Sequence, residues 1–81
     1  MTAGVWELDL HGKNEYQARI AIDAALRRAK TGTYRIRCIH GHHGGTALRD
    51  MVRRDYAKHP QVRRIETALG PGVTDLVLRE F

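Results

Sequence analysis

Asp9 and His11 stand two residues apart, and His40 opens the run His40-Gly41-His42-His43-Gly44-Gly45, with Thr46, Arg49 and Arg53 following. Imidazole changes protonation near neutral pH, so two histidines can supply one reaction with a base and an acid. A carboxylate beside one of them orients the ring and supports its charged form. Gly41, Gly44 and Gly45 let backbone amides approach an anion closely. Such a set suits phosphodiester cleavage. One imidazole accepts the proton of the attacking hydroxyl, the other protonates the leaving oxygen, and the loop amides with Arg49 stabilise charge on the phosphate. On RNA the 2′-hydroxyl can be the nucleophile and no metal is required. On DNA water must attack, and a metal ion such as magnesium fits better.

These residues need elements to bring them together. Val5 to Leu10 alternates Trp6, Leu8 and Leu10 with Val5, Glu7 and Asp9, the period of a strand with one apolar face. From Asn14 to about Lys30 the period changes, with Ala18, Ala21, Ile22, Ala25, Leu26 and Ala29 on one face. This predicts an amphipathic helix with Asn14 as its cap and Gly32 as its stop. Tyr34 to Ile39 reads as a second strand. Thr46 can cap a second helix to about His59, whose inner stripe is Leu48, Met51, Val52 and Tyr56 and which Pro60 ends. Val62 to Leu69 reads as a third strand, Gly70-Pro71-Gly72 as a turn, and Val73 to Phe81 as a fourth strand.

The order β-α-β-α-β-β predicts a two-layer α/β sandwich. The first two strands are parallel through a right-handed crossover, and the last two form an antiparallel hairpin. Parallel strands end on the same sheet edge, where ligands collect in α/β folds. Asp9 and His11 end the first strand and His40 ends the second. Adjacent strands therefore bring His40 towards His11, and both helix N-termini open on that edge. The candidate phosphate-binding residues there are Gly12, Lys13, Gly41, His42, His43, Gly44, Gly45, Thr46, Arg49 and Arg53.

Composition sets the wider limits. The 81 residues, 42% of them hydrophobic, make one globular domain, read as residues 1–81, with one modest core. No apolar run approaches the roughly 20 residues of a membrane span, and no leader pattern marks the N-terminus. Cys38 is the one cysteine, which excludes an internal disulfide and fits a reducing, cytoplasmic setting. Fourteen Lys and Arg against nine acidic residues give a net charge of +5, with arginine dominant, which suits a phosphate-rich partner.

On these residues the chain resembles the Smr (small MutS-related) domain family. Leu8-Asp9-Leu10-His11-Gly12 matches that family's first signature in full. His40-Gly41, the following glycines and Ala47-Leu48-Arg49 look like its second, a His-Gly-x-Gly-x-Gly loop opening a helix. His59-Pro60 and Gly72-Val73-Thr74 also fall where the family tends to have them, so the likeness runs from Trp6 to Leu78. It implies the fold of the C-terminal domain of translation initiation factor three, a mixed sheet in the order 1-2-4-3 with both helices on one side. It also implies a nucleic-acid endonuclease, with Asp9 and His11 as the catalytic pair and His40 with its loop holding or activating phosphate. Members have been linked to nicking of DNA and to cleavage of RNA, including messages on stalled ribosomes. Two departures bear on the phosphate loop: His43 stands in place of the family's middle glycine, and one extra residue precedes Arg49. The hairpin turn at Gly70-Pro71-Gly72 is also shorter than the family's usual glycine-rich segment.

Simpler readings stand beside these. Asp9 can cap the first helix or pair with a surface arginine, and His11 and His40 can merely bond backbone. Arg49 and Arg53 can be a solvated helix face, and His42 and His43 exposed loop residues. Two histidines and an aspartate can ligate a metal, but without a third rigid ligand or a thiolate a metal site is not expected. Arg35 and Arg37 suit a second basic strip on the uncovered sheet face, or a pairing with Glu66. Trp6, Tyr34, Tyr56, Met51 and Cys38 are assigned to the core. Tyr16 can stack on a base but is also read as core. The alternative function is a non-catalytic module that binds nucleic acid or a ribosomal surface through the same basic edge. A protein-interaction domain is the weaker third reading.

Overall fold

The computed structural model describes residues 4–41 and 46–79. Four strands, β1 (Val5–Asp9), β2 (Arg35–Ile39), β3 (Arg64–Glu66) and β4 (Val73–Val77), form one sheet in the order β1-β2-β4-β3. β1 and β2 are parallel, and β4 runs antiparallel to both β2 and β3. Helices α1 (Glu15–Arg28) and α2 (Ala47–Asp55) complete the expected two-layer order, and a single 3-10 turn at Tyr56–Lys58 extends α2.

Register sorts the sheet residues into two faces. Trp6, Ile36, Leu76 and Ile65 line up across the four strands, as do Leu8, Cys38 and Thr74 one pleat further on. This is the inner face. Ile36, Cys38, Leu76 and Leu78 join Ala18, Ile22, Ala25 and Leu26 of α1 and Met51 and Val52 of α2 in one buried cluster. Both helices therefore cover the same side of the sheet. Trp6 and Leu8 pack against this core from the edge strand, half-buried, and Tyr56 and Cys38 are inside it. Tyr34 is a correction: it sits half-buried at the start of β2, outside the core cluster. Its ring lies over Gly4, where a Cβ would run into it.

Each helix is cut where its sequence allows. Asn14 caps α1 by a reciprocal box: its side chain accepts from the Gln17 amide at 2.8 Å, and Gln17 accepts from the Asn14 amide at 3.0 Å. The helix stops before the expected Lys30, because Ala29 turns extended while the Gln61 side-chain amide donates to the Leu26 carbonyl at 2.9 Å. Thr46 takes the cap position of α2, but its hydroxyl donates to Asp50 Oδ2 at 2.8 Å and makes no cap bond.

The third strand is far shorter than Val62–Leu69. Only Arg64–Glu66 pair with β4, opposite Val77, Leu76 and Asp75, whereas all five residues of β4 pair with β2 on its other edge. Thr67 to Gly72 make the connection, leaving Leu69 in solvent. The fourth strand ends at Val77, although the amides of Leu78 and Arg79 still donate to the Tyr34 carbonyl.

The outer face has no helix over it and is built as an ion ladder. Glu7, Arg37, Asp75 and Glu66 form one cross-strand row, and Val5, Arg35, Val77 and Arg64 the next. Asp75, only 2% exposed, accepts from Arg35 at 2.7 Å and from Arg37 at 3.0 and 3.1 Å. Glu66 bridges Arg35 and Arg64. The expected basic strip on this face is thus corrected. Arg35 and Arg37 are neutralised, chiefly by Asp75, and the pairing with Glu66 is the lesser part for Arg35.

Candidate functional site

The ends of β1 and β2 meet as their parallel pairing requires. The Leu10 amide donates to the Ile39 carbonyl at 2.8 Å, and a Cβ built on Gly41 would lie 3.8 Å from His11 Cβ. Gly12 and Gly41 both take left-handed backbone, with φ of 79° and 77°. These two turns bring the chain out of each strand and set the two motifs side by side.

Asp9 and His11 form a local unit. Asp9 Oδ1 accepts the His11 amide at 3.1 Å and the His11 ring Nδ1–H at 2.6 Å. The side chains are open to solvent, 58% and 73% exposed. Bonding to His11 holds the Asp9 carboxyl below its ordinary range, with the charge of Lys13 adding to the effect. An ionised Asp9 takes the proton of Nδ1 as its bond partner, so that in the neutral ring Nε2 is the nitrogen left to accept a proton, and the ring faces solvent. Asp9 therefore neither caps α1 nor pairs with an arginine.

His40 is different in kind. It is 5% exposed. Its Nδ1 donates to the Gly41 carbonyl at 2.8 Å, and its Nε2 accepts from the Thr74 hydroxyl at 2.8 Å. Thr74 Oγ1 in turn accepts from Arg53 Nε at 2.9 Å. This chain of bonds has one consistent direction, from the guanidinium through the hydroxyl to a neutral imidazole. Burial lowers the pKa of His40; the Gly41 carbonyl opposes that shift, and the charges of Arg53 and Arg49 add to it. The two histidines lie on adjoining segments, but only His11 faces outwards.

The remaining candidates divide likewise. Arg53 is turned inwards on Thr74 and on the Val73 carbonyl at 3.3 Å, so it does not extend an exposed basic face. The amides of His40 and Gly41 both donate to the Gly72 carbonyl at 3.0 Å, which ties the loop to β4 and removes the Gly41 N–H from any anion cradle. The Lys13 amide donates to the Leu10 carbonyl at 3.1 Å, and its ammonium is exposed beside Asp9. Arg49 rests on Asp50 at 3.2 Å, half-buried in the first turns of α2 beside Thr46. His42, His43, Gly44 and Gly45 lie outside the described residues. Among the described residues no three His, Cys, Asp or Glu side chains gather to hold a metal, and no helix is long and apolar enough to cross a membrane.

Thr74 and Tyr16 stand differently in the structure than in the sequence. Thr74 is a polar residue at an inward strand position, and the sequence signals for its role are that break in the apolar pattern and its place in the Gly72-Val73-Thr74 segment. Tyr16, read as core, is 73% exposed in the first turn of α1, and Ile20 one turn on is 51% exposed. That helix face turns away from the sheet, which overturns the core assignment of Tyr16.

The Smr domain family model matches residues 8–77. No curated protein matches the chain. Among solved structures, the Smr domain of Thermus thermophilus MutS2 superposes with a TM-score of 0.81 at 32% identity, covering 93% of this chain and 99% of that one. The matched span runs from Leu8 to Val77 and so includes both histidine segments and the Thr74 strand.

Proposed function

The chain belongs to the Smr domain family, and on that premise we propose that it binds nucleic acid at the His11 edge and cleaves phosphodiester bonds there. The observation that carries this reading is the exposed Asp9–His11 pair, joined at 2.6 Å with His11 Nε2 free. A phosphate group brought to this edge meets the Lys13 ammonium beside the pair and Arg49 across from it. On RNA, Nε2 takes the proton of a 2′-hydroxyl, which attacks the adjacent phosphorus and forms a cyclic phosphate as the 5′-oxygen leaves. Asp9 stabilises the imidazolium that results. The same imidazolium, or water, protonates the leaving oxygen. Tyr16, exposed beside the edge, supplies a face on which a base stacks.

His40 supports this reading as a positioning residue rather than as a second free acid. Its ring joins Gly41 to β4, and so sets the turn that lies against His11. On this route magnesium is not required. DNA nicking is the variant in which a metal-activated water replaces the 2′-hydroxyl.

A second reading draws on one observation: with His40 buried, one solvent-facing imidazole remains at this edge among the described residues, where acid–base cleavage commonly uses two. The domain would then bind nucleic acid at this edge without cutting it. Labelled single-stranded RNA and supercoiled DNA, each with EDTA and with magnesium, decide between the two. Cleavage of RNA in EDTA by wild type, with cyclic phosphate ends and lost in His11→Ala, supports the nuclease. Binding without cleavage in every arm supports the second reading. Equal cleavage by Asp9→Ala, His11→Ala and wild type removes the Asp9–His11 mechanism.

A further inference from the structure

Lys13 is an exposed cation at the His11 edge, but a larger group of exposed cations lies elsewhere. The ladder on the open sheet face is internally balanced, Arg19 and Arg54 share Asp55, and Arg49 rests on Asp50. Arg28, Lys30, Arg63 and Arg79 have no carboxylate partner among the described residues and are exposed. Topology gathers them at the opposite end of the sheet. Arg28 and Lys30 follow the descending α1, Arg63 precedes β3, and Arg79 follows β4, which runs down from the Gly72 turn.

Two adjoining cavities open there. One, of about 510 Å³, is lined by Lys30, Thr33, Gln61, Arg63 and Arg79 among others. The other, of about 440 Å³, is lined by Trp6, Arg28, Lys30, Gly32 and Thr33. They share Lys30 and Thr33, so together they make one groove with cations along it and a half-buried indole at one end. A polyanion suits these exposed cations, and a flat apolar group suits the indole in a concavity. A single nucleic-acid strand has both, because its bases are free to leave the stack and lie on an aromatic ring. A duplex presents phosphates but keeps its bases inside.

We propose that this groove is a second nucleic-acid contact, holding a single-stranded segment by phosphate bonds to Lys30, Arg63 and Arg79 and by stacking of one base on Trp6. It rests on the nucleic-acid-binding part of the functional reading and is independent of cleavage. Trp6 lies on β1 and His11 five residues on, in the turn after it, so the two are at most roughly 17 Å apart. A stacked strand advances about 3.4 Å per phosphate and an unstacked single strand further, so the span corresponds to at most about five phosphates. One strand of modest length can therefore touch both ends of the domain.

Trp6 is the only tryptophan, so its emission reports this groove alone. The test titrates the full chain with a fluorescently labelled single-stranded 16-mer. Label anisotropy reports binding anywhere, and Trp6 emission reports the groove. The expected result is quenching of Trp6 that saturates with the anisotropy. In the combined Lys30→Ala, Arg63→Ala, Arg79→Ala variant the quench is lost, and the slope of log K against log salt falls by about 2, from roughly 0.7 per single-strand phosphate contact. His11→Ala keeps the quench. Because the three cations are on the surface, the variant's unfolding midpoint should match wild type. Binding by anisotropy with Trp6 emission unchanged, or a salt slope unaltered in the variant, overturns the groove while leaving the His11 edge intact. Equal quenching by polyglutamate overturns it in favour of an acidic protein partner. No anisotropy change at low salt overturns the nucleic-acid reading itself, and the groove with it.

Discussion

At the scale of single residues, two histidines of identical chemistry are made different by their surroundings. His11 keeps a free Nε2 because Asp9 bonds its other nitrogen, and removing that base should lower any cleavage rate by about 10²- to 10⁴-fold, measured under single-turnover conditions with His11→Ala. His40 is neutral and buried, and its pKa is lowered chiefly by burial. The sign follows from linkage: as pH falls below the ordinary imidazole range, the unfolded chain takes up a proton that folded His40 resists, so stability drops. Thermal unfolding of wild type should therefore show a falling midpoint between about pH 7 and pH 5, and His40→Gln should flatten that dependence. An equal slope in the variant would assign the effect elsewhere. Cys38 gives a third case. Burial pushes its thiol up to about 12, so it should resist a thiol reagent in the native protein and react fully only in denaturant.

At the scale of elements, Thr74 shows how one strand position serves two others. Its hydroxyl accepts from Arg53 on α2 and donates to His40 at the end of β2, which links helix, strand and loop. Thr74→Val keeps the shape and strands both partners, and should cost about 1–3 kcal/mol in urea unfolding. This linkage was hard to foresee, whereas the elements themselves were easy. The period-two run Val5–Leu10 and the three-and-four spacing of Ala18, Ile22, Ala25 and Leu26 are local signals, and they placed β1 and α1 almost to the residue. The Asp9–His11 contact was legible too, but for another reason than strand alternation: β1 ends at Asp9, and the pair closes in the turn that follows, where Asp9 Oδ1 accepts both the His11 amide and its ring N–H. What failed depended on partners far along the chain. The alternation from Val62 to Leu69 looked like a full strand, but only Arg64–Glu66 lie against β4, opposite Val77, Leu76 and Asp75, and the chain leaves the sheet at Thr67. Arg53 sits one turn from Arg49 in sequence, yet it points to β4 because Thr74 lies there. Asp75 is an acid in mid-strand until register puts Arg37 opposite it and Arg35 one row away.

For the molecule as a whole, the arrangement of charge separates stability from binding. Salt-bridged arginines on the open sheet face hold a buried carboxylate in place. Their charge is cancelled within the sheet, and it projects little field towards a polyanion. The cations at the two ends are placed otherwise: Arg49 at the His11 edge rests on its neighbour Asp50, and Arg28, Lys30, Arg63 and Arg79 at the far end are exposed with no carboxylate partner among the described residues. The two classes should dissociate cleanly under mutation. Arg37→Ala removes two of the bonds at 3.0 and 3.1 Å to Asp75 and should destabilise the fold by about 1–3 kcal/mol. Its nucleic-acid affinity and salt slope, measured where the variant is fully folded, should equal those of wild type. Arg49→Ala should leave the urea midpoint nearly unchanged, because the exposed pair with Asp50 contributes little. It should weaken binding and lower the salt slope by about 0.7, the share of one phosphate contact on a single strand. If Arg37→Ala weakened binding as much as Arg49→Ala, the open sheet face would be part of the nucleic-acid surface, and the division of charge into a balanced sheet and two basic ends would be wrong.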